Sequence, residues 1–176
     1  MPLALEVALG VVGSCLLMAG LEYAVHRWAM HRRVPGAAGR EMFEAHAVMH
    51  HGRYYRAAFD HDDDPAAGVI NIRMAAAEHA AYSLVLAAPL WLWLSAPAAV
   101  ALVAVVWLHA TVWSAVHTEM HRPAGRWFSR TRYYRYLRDF HHAHHLHPGR
   151  NFAIVFPPVM DRLFGTYHPP APVGGA

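Results

Sequence analysis

The chain has 176 residues, 56% of them hydrophobic and only 15% charged, yet sixteen are histidine and one is cysteine. An apolar share above the roughly 45–50% of soluble domains excludes intrinsic disorder, and the length suits one domain or one membrane module. Cys15 alone makes no internal disulfide and no CxxC pair exists, so any metal must be held by imidazole. The net charge of +3 and the pI near 9.3 come from fifteen basic residues, all arginine. None falls in 1–26 or 74–121; they form two blocks, Arg27 to Arg73 and Arg122 to Arg162. That is no nucleic-acid stripe but the pattern of a membrane protein with one positive side.

The first apolar run, Leu3 to Val25, is interrupted only by Glu6 and Glu22. About 20 residues at 1.5 Å each cross a bilayer. With no basic residue ahead of it and too long for a signal-peptide core, the run reads as a retained transmembrane helix. A polar stretch follows, with a helix expected at 40–56. Gly36 to Gly39 read as a turn, and so does the acidic run Asp60 to Asp64, which lacks the glycine of a calcium loop.

Two more apolar runs, Met74 to Leu94 and Ala98 to Val116, are joined only by Ser95, Ala96 and Pro97, which makes them a helical hairpin. Trp91, Trp93 and Trp107 suit interfacial or core positions, and alanines such as Ala80 and Ala81 permit close helix approach. Glu78, His79 and His109 are costly in hydrocarbon. Packing inside the bundle or lining a substrate channel would explain them. A further helix is expected at 128–146, before a proline-rich tail from Pro169.

The expected fold is therefore all-α: an integral membrane bundle with spans near 3–25, 74–94 and 98–116. A fourth is added if a re-entrant segment lies in 27–73. A helical, histidine-rich metal-binding cap, built from 26–51 and 117–145, faces the cytoplasm because both arginine blocks fall on that side. The whole chain, 1–176, reads as one domain.

Ten of the sixteen histidines fall into four clusters: His26 and His31; His46, His50 and His51; His117 and His121; His141, His144 and His145. Residues three or four apart share a helix face, so His46 with His50, His117 with His121, and His141 with His144 and His145 can aim at one place. His26 and His31 lie about 140° apart on an ideal helix. They must bridge two metals, sit where the helix unwinds, or serve separate roles. Ten imidazoles exceed one coordination sphere, so two ions are the economical reading; imidazole suits iron, zinc, copper or nickel alike.

The four clusters, His26-x4-His31, His46-x3-His50-His51, His117-x3-His121 and His141-x2-His144-His145, resemble the histidine boxes of the fatty acid hydroxylase / sterol desaturase superfamily. The ending, Asn151-Phe152 then Pro158-x2-Asp161-Arg162-Leu163-Phe164-Gly165-Thr166, is similar to the segment after the last box in that superfamily. The resemblance covers most of 22–167. It implies a non-haem diiron site liganded by His26, His31, His46, His50, His51, His117, His121, His141, His144 and His145, with zinc a possible substitute in purified protein. The implied reaction takes O2 and two electrons from an external donor protein. It hydroxylates, or desaturates, a lipid drawn from the bilayer, a fatty-acyl or sterol-like one first and a carotenoid second.

Glu22, Glu44, Glu119 and Asp139 are candidates to orient the imidazoles, and His142 is a candidate for a supporting, non-ligand place. His147-Pro148-Gly149 does not support a haem site, because no haem-binding domain has room. The segment with Arg130, Arg132, Arg135 and Arg138 among Tyr133, Tyr134 and Tyr136 suits anionic headgroups or an acidic electron-transfer partner. A non-catalytic metal-binding or metal-transport membrane protein is the reading of another class. Transport is disfavoured because transporters place ligands at the bilayer midplane on broken helices.

Overall fold

The computed structural model describes residues 2–55, 58–60, 76–93 and 95–174; for Tyr54, 76–79 and Trp93 it describes the backbone alone. Every regular element among them is helical: α1 (Leu3–Ala24), continued by a π-helical segment (Val25–Met30), α2 (Ala37–Phe43), a second π-helical segment (Glu44–Tyr54), α3 (Ala76–Trp93), α4 (Ala96–His121), a 3₁₀ turn (Trp127–Arg130), α5 (Arg132–Leu146) and α6 (Val159–Leu163). The chain divides into two compact units, 1–21 with 73–112 and 22–72 with 113–176.

The first unit holds the apolar sequence. Leu3–Met30 and Ala96–His121 are long and apolar enough to cross a membrane, while the apolar part of α3, Ala80–Leu92, is shorter. Only 17% and 28% of the two apolar windows are buried within the protein. Leu9, Val12, Leu16, Val85, Leu92, Val100 and Leu108 all point outward. In water each such leucine would forgo about 1.5–3 kcal/mol of burial, and lipid removes that penalty.

Polar groups in this unit are satisfied locally. Ser14 Oγ donates back to the Gly10 carbonyl at 2.6 Å, and Ser95 Oγ donates to the Glu6 carboxylate at 2.9 Å. Ser95 also caps α4, accepting from the Ala98 amide at 3.3 Å. Pro97 then falls in the first turn, where a missing N–H costs nothing. Ala96 and Pro97, which the sequence suggests as part of the hairpin turn, instead open α4. Gly10 permits close helix packing in this unit: a Cβ there would stand 2.9 Å from Ala98 Cα.

The second unit is built on α5, whose N-cap Thr131 accepts from the Tyr134 amide at 3.2 Å. Its buried residues Tyr134, Leu137, Phe140, His141, Ala143 and His144 follow helical periodicity. Phe59, Met120, Tyr134 and Leu137 form a small core, flanked by Val116, Phe128, Tyr136 and Val173. Arg138 pairs with Asp60; residues 61–64 of the acidic run lie outside the described residues, as do Arg73 and the side chains of Glu78 and His79. His109 is half-buried in α4. α4 runs five residues beyond Val116, which carries His117 and His121 on one helical face.

Candidate metal centre

Two local windings bring the histidines together. The chain is π-helical at 25–30 and again at 44–54, and an i→i+5 winding sets residues five apart on one face. This resolves the 140° problem of His26 and His31, whose rings lie 5.2 Å apart. It also reassigns the second cluster. The spacing suggests His46 with His50, but the partner at hydrogen-bonding distance is His51, with Nε2 atoms 3.2 Å apart.

The rings form two groups. His26, His31, His46, His51 and His144 make one, and His50, His121, His141 and His145 the other; each set of nitrogens lies within 4.8 Å of one another. His117 stands against the second, its Nε2 3.0 Å from that of His141. All ten sequence-derived residues are thus brought together, but each HH pair is split. His51 and His144 join the first group, while His50 and His145 join the second. Neighbours on a helix project about 100° apart, so one helix serves two centres. The expectation that His141, His144 and His145 aim at one place gives way to this division.

Hydrogen bonds cannot account for the contacts. His121 Nδ1 lies 2.7 Å from the Phe59 carbonyl oxygen. A carbonyl only accepts, so Nδ1 carries the hydrogen and Nε2 presents a lone pair. That lone pair lies 3.1 Å from His141 Nε2, which is also 3.0 Å from His117 Nε2 and 3.2 Å from His145 Nε2. No placement of one hydrogen on His141 Nε2 satisfies all three contacts. His50, fully buried, has no hydrogen-bond partner on either nitrogen among the described residues. A cation receiving the lone pairs satisfies both observations. The spacing agrees: with metal–nitrogen bonds of about 2.1 Å, adjacent ligands stand about 3.0 Å apart in octahedral and about 3.4 Å in tetrahedral geometry.

In the first group the Nε2 contacts run His46–His26 3.0 Å, His46–His51 3.2 Å, His51–His144 3.1 Å and His144–His31 3.0 Å. His26 Nδ1 donates to the Phe152 carbonyl and His144 Nδ1 to the Arg150 carbonyl, each at 2.6 Å. Burial, reinforced by the neighbouring rings, holds His46, His50, His51, His141, His144 and His145 well below the ordinary histidine pKa. His31 is lowered to about 3, mainly by burial and then by His26. The rings are neutral at physiological pH, which is the state that ligates metal.

The carboxylates take other places. Glu22 accepts the amides of Ile154 and Val155, and Glu119 those of Ala124 and Arg126. Asp139 accepts the Val173 amide, and Glu44 is exposed. His142 Nδ1 donates to the Ala171 carbonyl and His147 packs on His168. Where ring-orienting partners are visible, they are the backbone carbonyls of Phe59, Arg150 and Phe152.

The loop that supplies two of those carbonyls is held by residues the histidine pattern does not reveal. Asn151 adopts φ 58, a left-handed conformation rare outside glycine. Its side chain donates to the Phe140 and His168 carbonyls and accepts the His168 amide. Asp161, fully buried, accepts the amides of Phe152 and Ala153 and the Thr166 hydroxyl. The only sequence signal for these residues is the motif that ends the chain's family resemblance.

Two helices long and apolar enough to cross a membrane and two groups of histidines that could hold metal are the features against which a family is to be judged. Residues 11–166, most of the chain, match the family model described as fatty acid hydroxylase, and the chain belongs to that family. No curated protein and no solved structure matches it.

Proposed function

We propose that this protein is a diiron oxygenase that hydroxylates, or desaturates, an unactivated C–H bond of a membrane lipid, a fatty-acyl or sterol-like one. It would use O2 and electrons from a separate donor protein. The observation that carries the proposal is the two-group arrangement of ten histidines in a member of the fatty acid hydroxylase family. His26, His31, His46, His51 and His144 would hold one iron, and His50, His117, His121, His141 and His145 the other. Nε2 spacings of 3.0–3.2 Å fit rings that share one ion, and iron is the metal that the family implies.

Iron supplies the oxidising power that acid–base side chains lack for an alkyl C–H bond. The chain's own residues do the rest. Burial keeps the rings unprotonated, and the Phe59, Arg150 and Phe152 carbonyls take the Nδ1 hydrogens of His121, His144 and His26, which turns each Nε2 toward the neighbouring rings. In the membrane, α1, α3 and α4 would be three spans. The two arginine blocks support a cytoplasmic side for the histidine-bearing segments.

The test is lipid profiling of a host expressing the wild type beside His144→Ala. A lipid gaining one oxygen, or losing two hydrogens, only with wild type and only in air is the expected result. Identical profiles across several lipid-rich hosts, together with protein that takes up no iron under anaerobic loading, overturn the proposal.

A further inference from the structure

We infer that Asp161 is a positioning residue for the five-histidine group alone, acting through two peptide planes of the loop that carries Arg150 and Phe152. The inference rests on the metal-site reading above. A trans peptide is planar, so fixing its N–H fixes the direction of its C=O. The peptide joining Phe152 to Ala153 has its carbonyl on His26 Nδ1 at 2.6 Å and its N–H on an Asp161 carboxylate oxygen at 3.0 Å. The peptide joining Arg150 to Asn151 has its carbonyl on His144 Nδ1 at 2.6 Å and its N–H on the Thr166 carbonyl at 3.0 Å.

Thr166 is in turn fastened to Asp161. Its hydroxyl donates to the carboxylate at 2.7 Å and its amide to the Asp161 carbonyl at 2.8 Å. One buried side chain therefore sets two carbonyls, and each carbonyl sets one ring of the same group. A negative charge at the N–H end also polarises the peptide toward its carbonyl and makes the imidazole beyond it a stronger donor to metal. The second group takes its visible anchor elsewhere, from Phe59 to His121.

This selectivity separates positioning from general stability. Full-length wild type, Asp161→Asn, Thr166→Val and Thr166→Ser, purified in detergent, are loaded anaerobically with iron(II) and measured for iron per chain, Mössbauer spectrum and helical content. Wild type is expected to hold two irons. D161N should keep its helicity and hold close to one, with the five-histidine site weakened about 10–100-fold, the range for lost orienting partners. T166V should weaken the same site by less, and T166S, which keeps the hydroxyl, should restore it.

A folded D161N that binds two irons with wild-type affinity and spectrum overturns the inference, as does equal loss from both sites. Should D161N fail to fold, the T166V and T166S pair decides: equal behaviour of the two overturns the inference. A wild type that takes up no iron overturns the proposed function itself, and this inference with it.

Discussion

The two compact units use opposite chemistries. In 1–21 with 73–112, many apolar side chains face outward and helices meet through small residues, with Gly10 against Ala98. In 22–72 with 113–176, the buried side chains include a dense set of polar ones, from His26 and His141 to Asn151 and Asp161. The first unit tolerates imprecision because lipid accepts any apolar contour. The second does not, because each buried ring nitrogen needs a partner at a particular place. Stability and chemistry should therefore come apart when the units are perturbed separately.

The largest effect is expected from His141→Ala. Its Nε2 touches those of His117, His121 and His145. Removal should cost more than about 100-fold in affinity at that site, beyond the effect of losing an orienting partner. Iron content per chain checks it, and unchanged content would show that His141 is not a ligand.

Acid should act next, and on the second unit only. His31, His46, His50, His51, His141, His144 and His145 there have depressed pKa values in the folded protein, His31 from 6.5 to about 3. The unfolded chain therefore takes up protons first. The stability contribution is complete above about pH 6.5 and is lost as pH falls toward about 3. Metal release and loss of tertiary signal should begin below about pH 6.5 while the apolar helices persist in detergent. Circular dichroism with metal analysis across pH reads both, and simultaneous loss of all helix would dissolve the distinction between the units.

Gly10→Leu tests the converse. A side chain forced against the Ala98 backbone should destabilise the first unit by about 1–3 kcal/mol, the usual cost of overpacking. Iron stoichiometry in the surviving folded protein should stay at the wild-type value. Thermal unfolding in detergent and metal content measure the two halves of that expectation.

The smallest change is expected from Arg138→Ala, which removes a partly exposed ion pair with Asp60. Less than about 1 kcal/mol should be lost. A larger loss would mean that this pair, rather than the Phe59, Met120, Tyr134 and Leu137 core, holds α5 in place.

Reading the chain in order exposes the histidines, the short break before α4 and the amphipathic α5, because each is a local pattern of residue type and spacing. The sorting of rings is not local. Whether His46 pairs with His50 or His51 depends on the winding of 44–54, and no residue there announces an extra backbone atom set per turn. The orienting groups are equally hidden. Glu22 and Glu119 are plausible imidazole partners by position, but carbonyls of Phe59, Arg150 and Phe152 stand on the rings, and every residue has a carbonyl. Asp161 is visible as a motif, but its purpose is legible only when the loop it holds is seen against His26 and His144.

The wide-wound segments make the metal site a matter of counting as well as of composition. A π turn is an α turn holding one residue more, so the place of His51 depends on four residues, Ala47 to His50, separating it from His46. Deleting Met49 leaves every histidine in the chain. It lets the segment relax to ordinary winding, with the present His51 four positions after His46 and the present His50 three. A protein engineer transplanting these boxes must therefore carry over the number of intervening residues before considering their identity.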